Sequence, residues 1–209
     1  VEFRRFANAN SFIRLEAGRL SVRISDLLDG APAPVTEALA FILICKLFRK
    51  PVPRVYSHRY RLYLNRREMR RSLHLVRQTR GRKRLCGPSG VCHNLEELFE
   101  ELNTKYFDGL LGRPVLSWSR HPSRSVLGHF DPSHNAILIS RLFDADRVPR
   151  LALKYVLFHE MLHLRYPVEH DGSRRRVHTK QFREAEKSFE GLREAKETLK
   201  KLCTGGKLE

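Results

Sequence analysis

The residues of this 209-residue chain most able to do chemistry are His159, Glu160 and His163, in the sequence VLFHEMLH. On a helix, residues four positions apart lie on the same face one turn apart, so both imidazoles can bind one metal ion. Glu160 is offset by one position, which places its carboxylate beside the ion. Zinc lowers the pKa of a bound water to about 7, and a glutamate so placed can remove a proton from it. The spacing predicts one Zn²⁺ ion, with Glu160 as the catalytic base.

A His-Glu-x-x-His pattern also arises by chance, and both histidines could be ordinary helix residues. The neighbouring sequence favours the metal, because the helix that starts around Asp146 and Pro149 and runs to about Tyr166 is apolar nearly all round. A helix of that kind is buried. Buried histidines and a buried glutamate need polar partners, and a metal ion would supply them.

A third protein ligand has to come from outside this helix. A metzincin-type site requires a glycine and a histidine where the chain has Tyr166 and Glu169, so that subclass is excluded. The nearby candidates are two histidines and two glutamates: His170, His178, Glu184 and Glu186. His178 immediately precedes a stretch with an apolar face at helical spacing, which would hold its side chain, whereas His170 lies in a loop beside Gly172. We expect His178 to be the third ligand.

The elements that would position these residues follow one another through the second half of the chain. Asn94, with Glu97 three residues later, is a capping-box-like helix start, and Gly109 can end that helix. Alternating and helical apolar periodicities then predict the remaining elements. These are strands at 114–119, 125–130 and 135–140, a helix over about 146–166, and a final helical stretch from about Thr179.

Five segments in this order, NLEELFEELNTKYFDGLL, LSWS, ILIS, VLFHEMLH and HTKQF, make the chain resemble the SprT-like zinc metallopeptidases over roughly residues 93–190. The resemblance implies an α+β, zincin-like fold with a small mixed sheet and an active-site helix. It implies one Zn²⁺ ion bound by His159, His163 and His178, and Glu160 as the catalytic base. The implied reaction is hydrolysis of peptide bonds in a protein or peptide substrate by zinc-activated water.

One residue next to the implied site departs from the family pattern, and one catalytic role is left unassigned. The family usually has a glycine after the third histidine and an aromatic residue three positions later; here Thr179 replaces the glycine and Phe182 matches the aromatic residue. The group that would stabilise the oxyanion is not assigned, since Tyr166, His170 and Arg174–Arg176 all lie within plausible reach in the sequence.

The two strands within 125–140 could offer the edge to which zincins add an extended substrate. His129 and His134 lie on or near these strands. Histidines scattered in this way are more often solvated than directed into a cleft, so we expect them to be surface residues.

The first part of the chain has a different organisation. It contains a hairpin over 11–24, an apolar helix over 35–48 and a basic, helical region over 53–80. A charged, glycine-containing linker at 80–90 is the predicted boundary. We predict two domains: an N-terminal hairpin and basic helical region (1–85), and a SprT-like zincin metallopeptidase domain (86–209).

The net charge of +17 is concentrated in residues 49–84, which contain fourteen Lys and Arg and one acid, Glu68. This density, interleaved with Tyr56, Tyr60 and Tyr63, would suit phosphate contacts and base stacking. Alternatives are a solvated amphipathic helix with a tyrosine-lined apolar face, or a surface for an acidic protein or a membrane. The candidate DNA- or RNA-binding residues are Arg59, Arg61, Arg66, Arg67, Arg70, Arg71, Arg82, Lys83 and Arg84.

The composition bears on whether the protein is a membrane, secreted or intracellular protein. No run reaches the roughly 18 to 20 apolar residues that a membrane span needs, and no signal peptide is recognised. Four irregularly spaced cysteines suit a reducing compartment, so a cytoplasmic or nucleic-acid-associated protein is expected. Cys86, Cys92 and His93 match no zinc motif and predict an ordinary loop. The alternative function is a nucleic-acid-binding protein with a structural or inactive zinc site, although such a site has no need of Glu160.

Overall fold

The computed structural model of the chain describes residues 1–81 and 85–204. These residues form two compact units, 1–81 with 170–175 and 85–169 with 176–204. Helices and small sheets occur in both, in agreement with the predicted α+β class. Within the described ranges no helix is long and apolar enough to cross a bilayer. The division into two domains after residue 85 stays a prediction.

The first unit is built on a three-stranded sheet and three helices. In chain order these are β1 (Glu2–Arg4), β2 (Ser11–Glu16), β3 (Arg19–Ser25), α1 (Ala33–Leu47), α2 (Arg54–Leu64) and α3 (Arg67–Arg80). β2 and β3 form the predicted antiparallel hairpin, and β1, which was not predicted, pairs in parallel with β3. The small buried core of this unit is formed by Leu28, Leu39 and Leu43.

The basic region consists of two helices, which meet at Asn65 and Arg66. The chain turns there because Arg66 has an extended backbone (φ −57°, ψ 142°) that cannot continue α2. Tyr60 and Tyr63 pack against the small core, and burial raises the pKa of Tyr60 to about 12. Tyr56 stacks on Phe41, with ring centroids 4.1 Å apart. These tyrosines therefore line an apolar face, as in the amphipathic interpretation, and pack against their own unit.

The second unit contains the helix on which His159, Glu160 and His163 lie. Its elements are α4 (Leu95–Phe107), β4 (Val115–Trp118), β5 (Gly128–Asp131), β6 (Ala136–Ile139), α5 (Arg150–Arg165), α6 (Lys180–Glu186) and α7 (Leu192–Thr204). Between α5 and α6 in the sequence comes a short hairpin, β7 (Glu169–Asp171) and β8 (Arg174–Arg176), whose residues 170–175 belong to the first unit. β6 is the middle strand of its sheet, parallel to β4 and antiparallel to β5, which leaves β5 at an edge. The predicted final helical stretch is two helices, α6 and α7.

α5 runs through the centre of the second unit. Leu153, Leu157 and Met161 are fully buried on it and join a core that includes Trp118 and Phe99. Burying a side chain of this size contributes about 1.5–3 kcal/mol, so α5 is fixed by many such contacts. The prediction of a buried helix is confirmed, and polar side chains on α5 are held in a rigid apolar setting.

Candidate metal centre

Three histidines meet on one side of α5. His159 and His163 project from successive turns of the helix, and His178 approaches from the segment just before α6. One ligand nitrogen from each lies within 4.8 Å of those of the other two, and the ring centroids are 5.0 to 5.2 Å apart. This is the one group of three or more potential ligands found in the part of the chain that the structure describes. The arrangement could hold a metal ion.

Phe182 supports all three imidazoles from one side. Its ring is 1% exposed, and its centroid lies 5.1, 4.7 and 4.7 Å from those of His159, His163 and His178. Thr179, the residue that departs from the family pattern, is the N-cap of α6: its Oγ1 accepts a hydrogen bond from the Phe182 N–H at 3.2 Å. The backbone φ of Thr179 is −69°, so no glycine is required at this position. Threonine therefore fixes the start of the helix that carries Phe182.

Glu160 lies on the adjacent face of α5, against the edge strand β5. It is 7% exposed, and its Oε2 accepts a hydrogen bond of 2.8 Å from the backbone N–H of Phe130. Burial raises the pKa of Glu160 to about 7, and the Phe130 hydrogen bond opposes that rise. A Cβ added at Gly128 would lie 2.7 Å from Oε1, so the absence of a side chain there makes room for the carboxylate. Sequence reasoning missed this contact, although a glycine at the start of a strand signals a close approach.

Glu186, weighed above as a possible metal ligand, instead lies behind His159. Its Oε1 is 2.7 Å from His159 Nδ1 and accepts a hydrogen bond from the Tyr155 hydroxyl at 3.0 Å. Glu184, the other glutamate candidate, is exposed and pairs with Lys187 at 2.9 Å. Neither glutamate belongs to the group of potential ligands.

Burial and neighbouring charges shift the pKa values of two residues at this site, His178 and Glu186. Burial lowers the pKa of His178, with His159 adding to the effect, and a neutral imidazole is the form that binds metal. Burial raises the pKa of Glu186, but the hydrogen bonds from His159 and Tyr155 outweigh it, and the pKa lies below its ordinary value. Glu186 is therefore an ionised acceptor.

His178 is the most accessible of the three histidines. It is exposed, and it lines an open cavity of about 700 Å³ together with Glu169, Arg176, Lys180 and Arg183. Of the candidate oxyanion groups, Tyr166 lies near Phe182, with ring centroids 6.4 Å apart. Three others, His170, Arg174 and Arg175, belong to the first unit. The identity of the oxyanion-stabilising group stays unassigned.

The two histidines near β5 lie apart from the cluster. His129 is exposed on β5, and His134 Nδ1 is 2.9 Å from Asp131 Oδ2 in the turn that leads to β6. His129 agrees with the expectation of a surface residue, whereas His134 is half-buried and its Nε2 is enclosed.

The Cys86–Cys92 segment is an ordinary loop, held by a carboxylate. The Asp144 side chain accepts hydrogen bonds from the backbone N–H groups of Val91, Cys92 and His93, at 2.8 to 3.2 Å. All four cysteines of the chain are free of disulfide bonds. These residues form a loop in the structure, as predicted.

The candidate nucleic-acid-binding residues lie in the first unit, where the structure describes them. Arg61, Arg66, Arg67, Arg70 and Arg71 are exposed on α2, α3 or the junction between them. Arg59 is partly covered and forms an ion pair with Glu37 at 3.1 Å. The other three candidates, Arg82, Lys83 and Arg84, lie outside the described residues.

Comparison with known proteins identifies the family of this chain. No curated protein and no solved structure matches the chain. The model of the SprT-like family matches residues 95–201, just over half of the chain and most of the second unit. The matched segment contains α4, the β4–β6–β5 sheet, α5 and the three histidines, and it extends beyond the resemblance noted from the sequence into α7. This chain belongs to the SprT-like family.

Proposed function

We propose that this chain is a zinc-dependent metalloendopeptidase. The observation that carries the proposal is the convergence of the His159, His163 and His178 imidazoles beside the buried carboxylate of Glu160. Three protein ligands with an open fourth position are typical of catalytic zinc sites, whereas structural sites fill all four positions. Membership of the SprT-like family supports the same activity.

The three imidazoles would hold the zinc ion, which would lower the pKa of a bound water and polarise the scissile carbonyl. Glu160 removes a proton from the attacking water at a carboxylate oxygen and donates it to the leaving amine. Its burial and the 2.8 Å hydrogen bond from Phe130 hold that carboxylate in one position. A fixed base needs less reorganisation when the proton moves.

The proposal extends to a zincin-like fold, in which the substrate adds to a strand edge. β5 is an edge strand, and its backbone meets α5 where Phe130 contacts Glu160. A peptide that pairs with the outer edge of β5 would therefore lie next to the proposed base.

The second part of the proposal is recruitment to nucleic acid by residues 49–84, within a separate N-terminal domain (1–85) beside a metallopeptidase domain (86–209). The support is the excess of thirteen positive charges in this segment and the exposure of Arg61, Arg67, Arg70 and Arg71. Because the tyrosines of α2 pack inward, phosphate contacts rather than base stacking would provide the affinity.

The test is cleavage of an unfolded protein by the zinc-loaded chain, with and without single-stranded DNA. Glu160→Gln is compared at matched zinc content, and Glu184→Gln, an exposed glutamate outside the cluster, is the control. We expect Glu160→Gln to keep zinc and lose cleavage, and Glu184→Gln to keep both.

Each outcome separates the two parts of the proposal. Cleavage that depends on Glu160 and is stimulated by DNA supports both parts. Cleavage without DNA dependence supports the peptidase and removes the nucleic-acid part. Bound zinc and DNA without cleavage of any protein tested would favour the alternative, a nucleic-acid-binding protein with a structural or inactive zinc site.

A further inference from the structure

The carboxylate of Glu186 is built into the second unit rather than left at its surface. Its side chain is only 16% exposed. Glu186 is the last residue of α6, and two of its partners, Tyr155 and His159, lie on successive turns of α5. Both partners reach the same oxygen, Oε1, at 3.0 and 2.7 Å. The other oxygen, Oε2, lies 3.5 Å from the Lys196 ammonium of α7. Three helices therefore fix one carboxylate behind one imidazole.

The chemistry of this contact selects one tautomer of His159. An ionised carboxylate can only accept hydrogen bonds, so the nitrogen that faces it, Nδ1, must carry the proton. The neutral ring then has its lone pair on Nε2, the nitrogen on the opposite side. A metal ion requires a lone pair, so this tautomer directs Nε2 to serve as the ligand atom.

We infer that Glu186 is a positioning residue for the metal centre, acting through His159. It sets the tautomer and ring orientation of this ligand before metal binds. Tyr155 and Lys196 hold the carboxylate in place and complete the arrangement. The inference rests on the proposed metal site, but it concerns metal affinity and holds whether or not the site cleaves peptides.

The test uses the whole chain and two measurements that do not depend on catalysis. Zinc affinity is measured by competition with a chromophoric chelator for wild type, Glu186→Ala, Glu186→Gln and the matched control Glu184→Ala on the same helix. The tautomer of His159 in the zinc-free protein is read from the ¹⁵N chemical shifts of its ring.

Loss of such a partner weakens metal affinity by about 10- to 100-fold, and we expect this of Glu186→Ala. Glu186→Gln keeps an acceptor oxygen without the charge, so its affinity should lie between those of wild type and Glu186→Ala. Glu184→Ala should match wild type. In the wild type, Nδ1 of His159 should be protonated, and in Glu186→Ala the proton should shift toward Nε2.

Two results would overturn the inference: zinc affinity in Glu186→Ala equal to that in Glu184→Ala, or a wild-type His159 with the proton on Nε2. If Glu186→Ala does not fold, the nearly isosteric Glu186→Gln carries the same comparison. Failure of the proposed peptidase would appear separately, as absence of cleavage in a wild type that binds zinc normally.

Discussion

Gly128 lies where β5 passes closest to the proposed base, and a single methyl group added there tests how the site is built. In Gly128→Ala the new Cβ would lie 2.7 Å from Glu160 Oε1, 2.9 Å from its Cγ and 2.9 Å from Val156 Cγ1. Ordinary contact begins at 3.4 Å, so the carboxylate or the strand has to move by about 0.7 Å. Val156 and the buried helix behind it restrict the directions in which Glu160 can retreat.

A shift of this size should affect both catalysis and stability. A reacting group misplaced by about 1 Å can lower a rate by about 100-fold, so we expect kcat/KM for peptide cleavage to fall by about 10- to 100-fold. Overpacking of this kind should lower the free energy of unfolding by about 1–3 kcal/mol. Zinc affinity should stay unchanged, because the atoms nearest the added Cβ belong to Glu160 and Val156 and not to the three histidines.

Gly112→Ala is the matched control, because a Cβ there meets no atom within 4 Å. The three quantities to measure for both variants are peptide cleavage, zinc content and urea unfolding. Cleavage by Gly128→Ala equal to that by Gly112→Ala would refute the reasoning, since it would mean that the position of the carboxylate against β5 has no bearing on the reaction.

Three further outcomes are expected. Phe182→Ala removes a buried ring that contacts all three imidazoles, so urea unfolding should show a loss of about 3–5 kcal/mol, and recovery of little of it by Phe182→Leu would contradict the packing argument. Burial raises the pKa of Asp144, but the hydrogen bonds from the N–H groups of Val91, Cys92 and His93 outweigh that effect, so the pKa lies below its ordinary value. A depressed pKa stabilises the fold above the unfolded-state pKa and ceases to do so as the pH falls through the folded-state pKa. The difference in unfolding free energy between wild type and Asp144→Asn should therefore be constant near pH 7 and shrink below about pH 4; a difference independent of pH would exclude this role. Zinc at about 100 times its Kd should raise the free energy of unfolding by about 2.7 kcal/mol in thermal melts, and an equal gain in His163→Ala would argue against the proposed ligand set.

Local patterns were sufficient to predict the centre of the site. The i, i+4 spacing of His159 and His163 follows from helix geometry, and an apolar helix around them required partners for their polar atoms. His178 was selected because the apolar face after it, with Phe182, predicted a packed element. The structure brings these three imidazoles together, and their role as zinc ligands stays a proposal.

Contacts between distant segments were not predictable in the same way. Glu186 reaches His159 only because α6 packs against α5, and no periodicity identifies which glutamate of that stretch faces inward. Glu184, two residues earlier, has the same residue type and faces solvent. The hydrogen bond from Phe130 to Glu160 likewise depends on the tertiary position of an edge strand.

Element boundaries were missed where a break has a weak signal in the sequence. α2 and α3 carry one continuous basic and apolar pattern, but the extended backbone at Arg66 divides them without a glycine or proline. β5 begins at Gly128 rather than at residue 125, because alternation alone does not fix where strand pairing starts. The parallel pairing of β1 joins residues about twenty positions apart, which no local pattern specifies.

The position of Phe182 beneath the three imidazoles links metal occupancy to the local unfolding of α6. α6 has seven residues, fewer than an isolated helix needs to persist in water, so its stability comes from the contacts of Phe182 and from the segment that carries His178. A metal ion that tethers His178 to α5 would oppose the same opening motion that releases Phe182. Amide hydrogens of α6 should therefore exchange more slowly with solvent deuterium when metal is bound, while those in the first turns of α5 change little. The exchange rates of the α6 amides would therefore indicate whether the three histidines hold a metal ion.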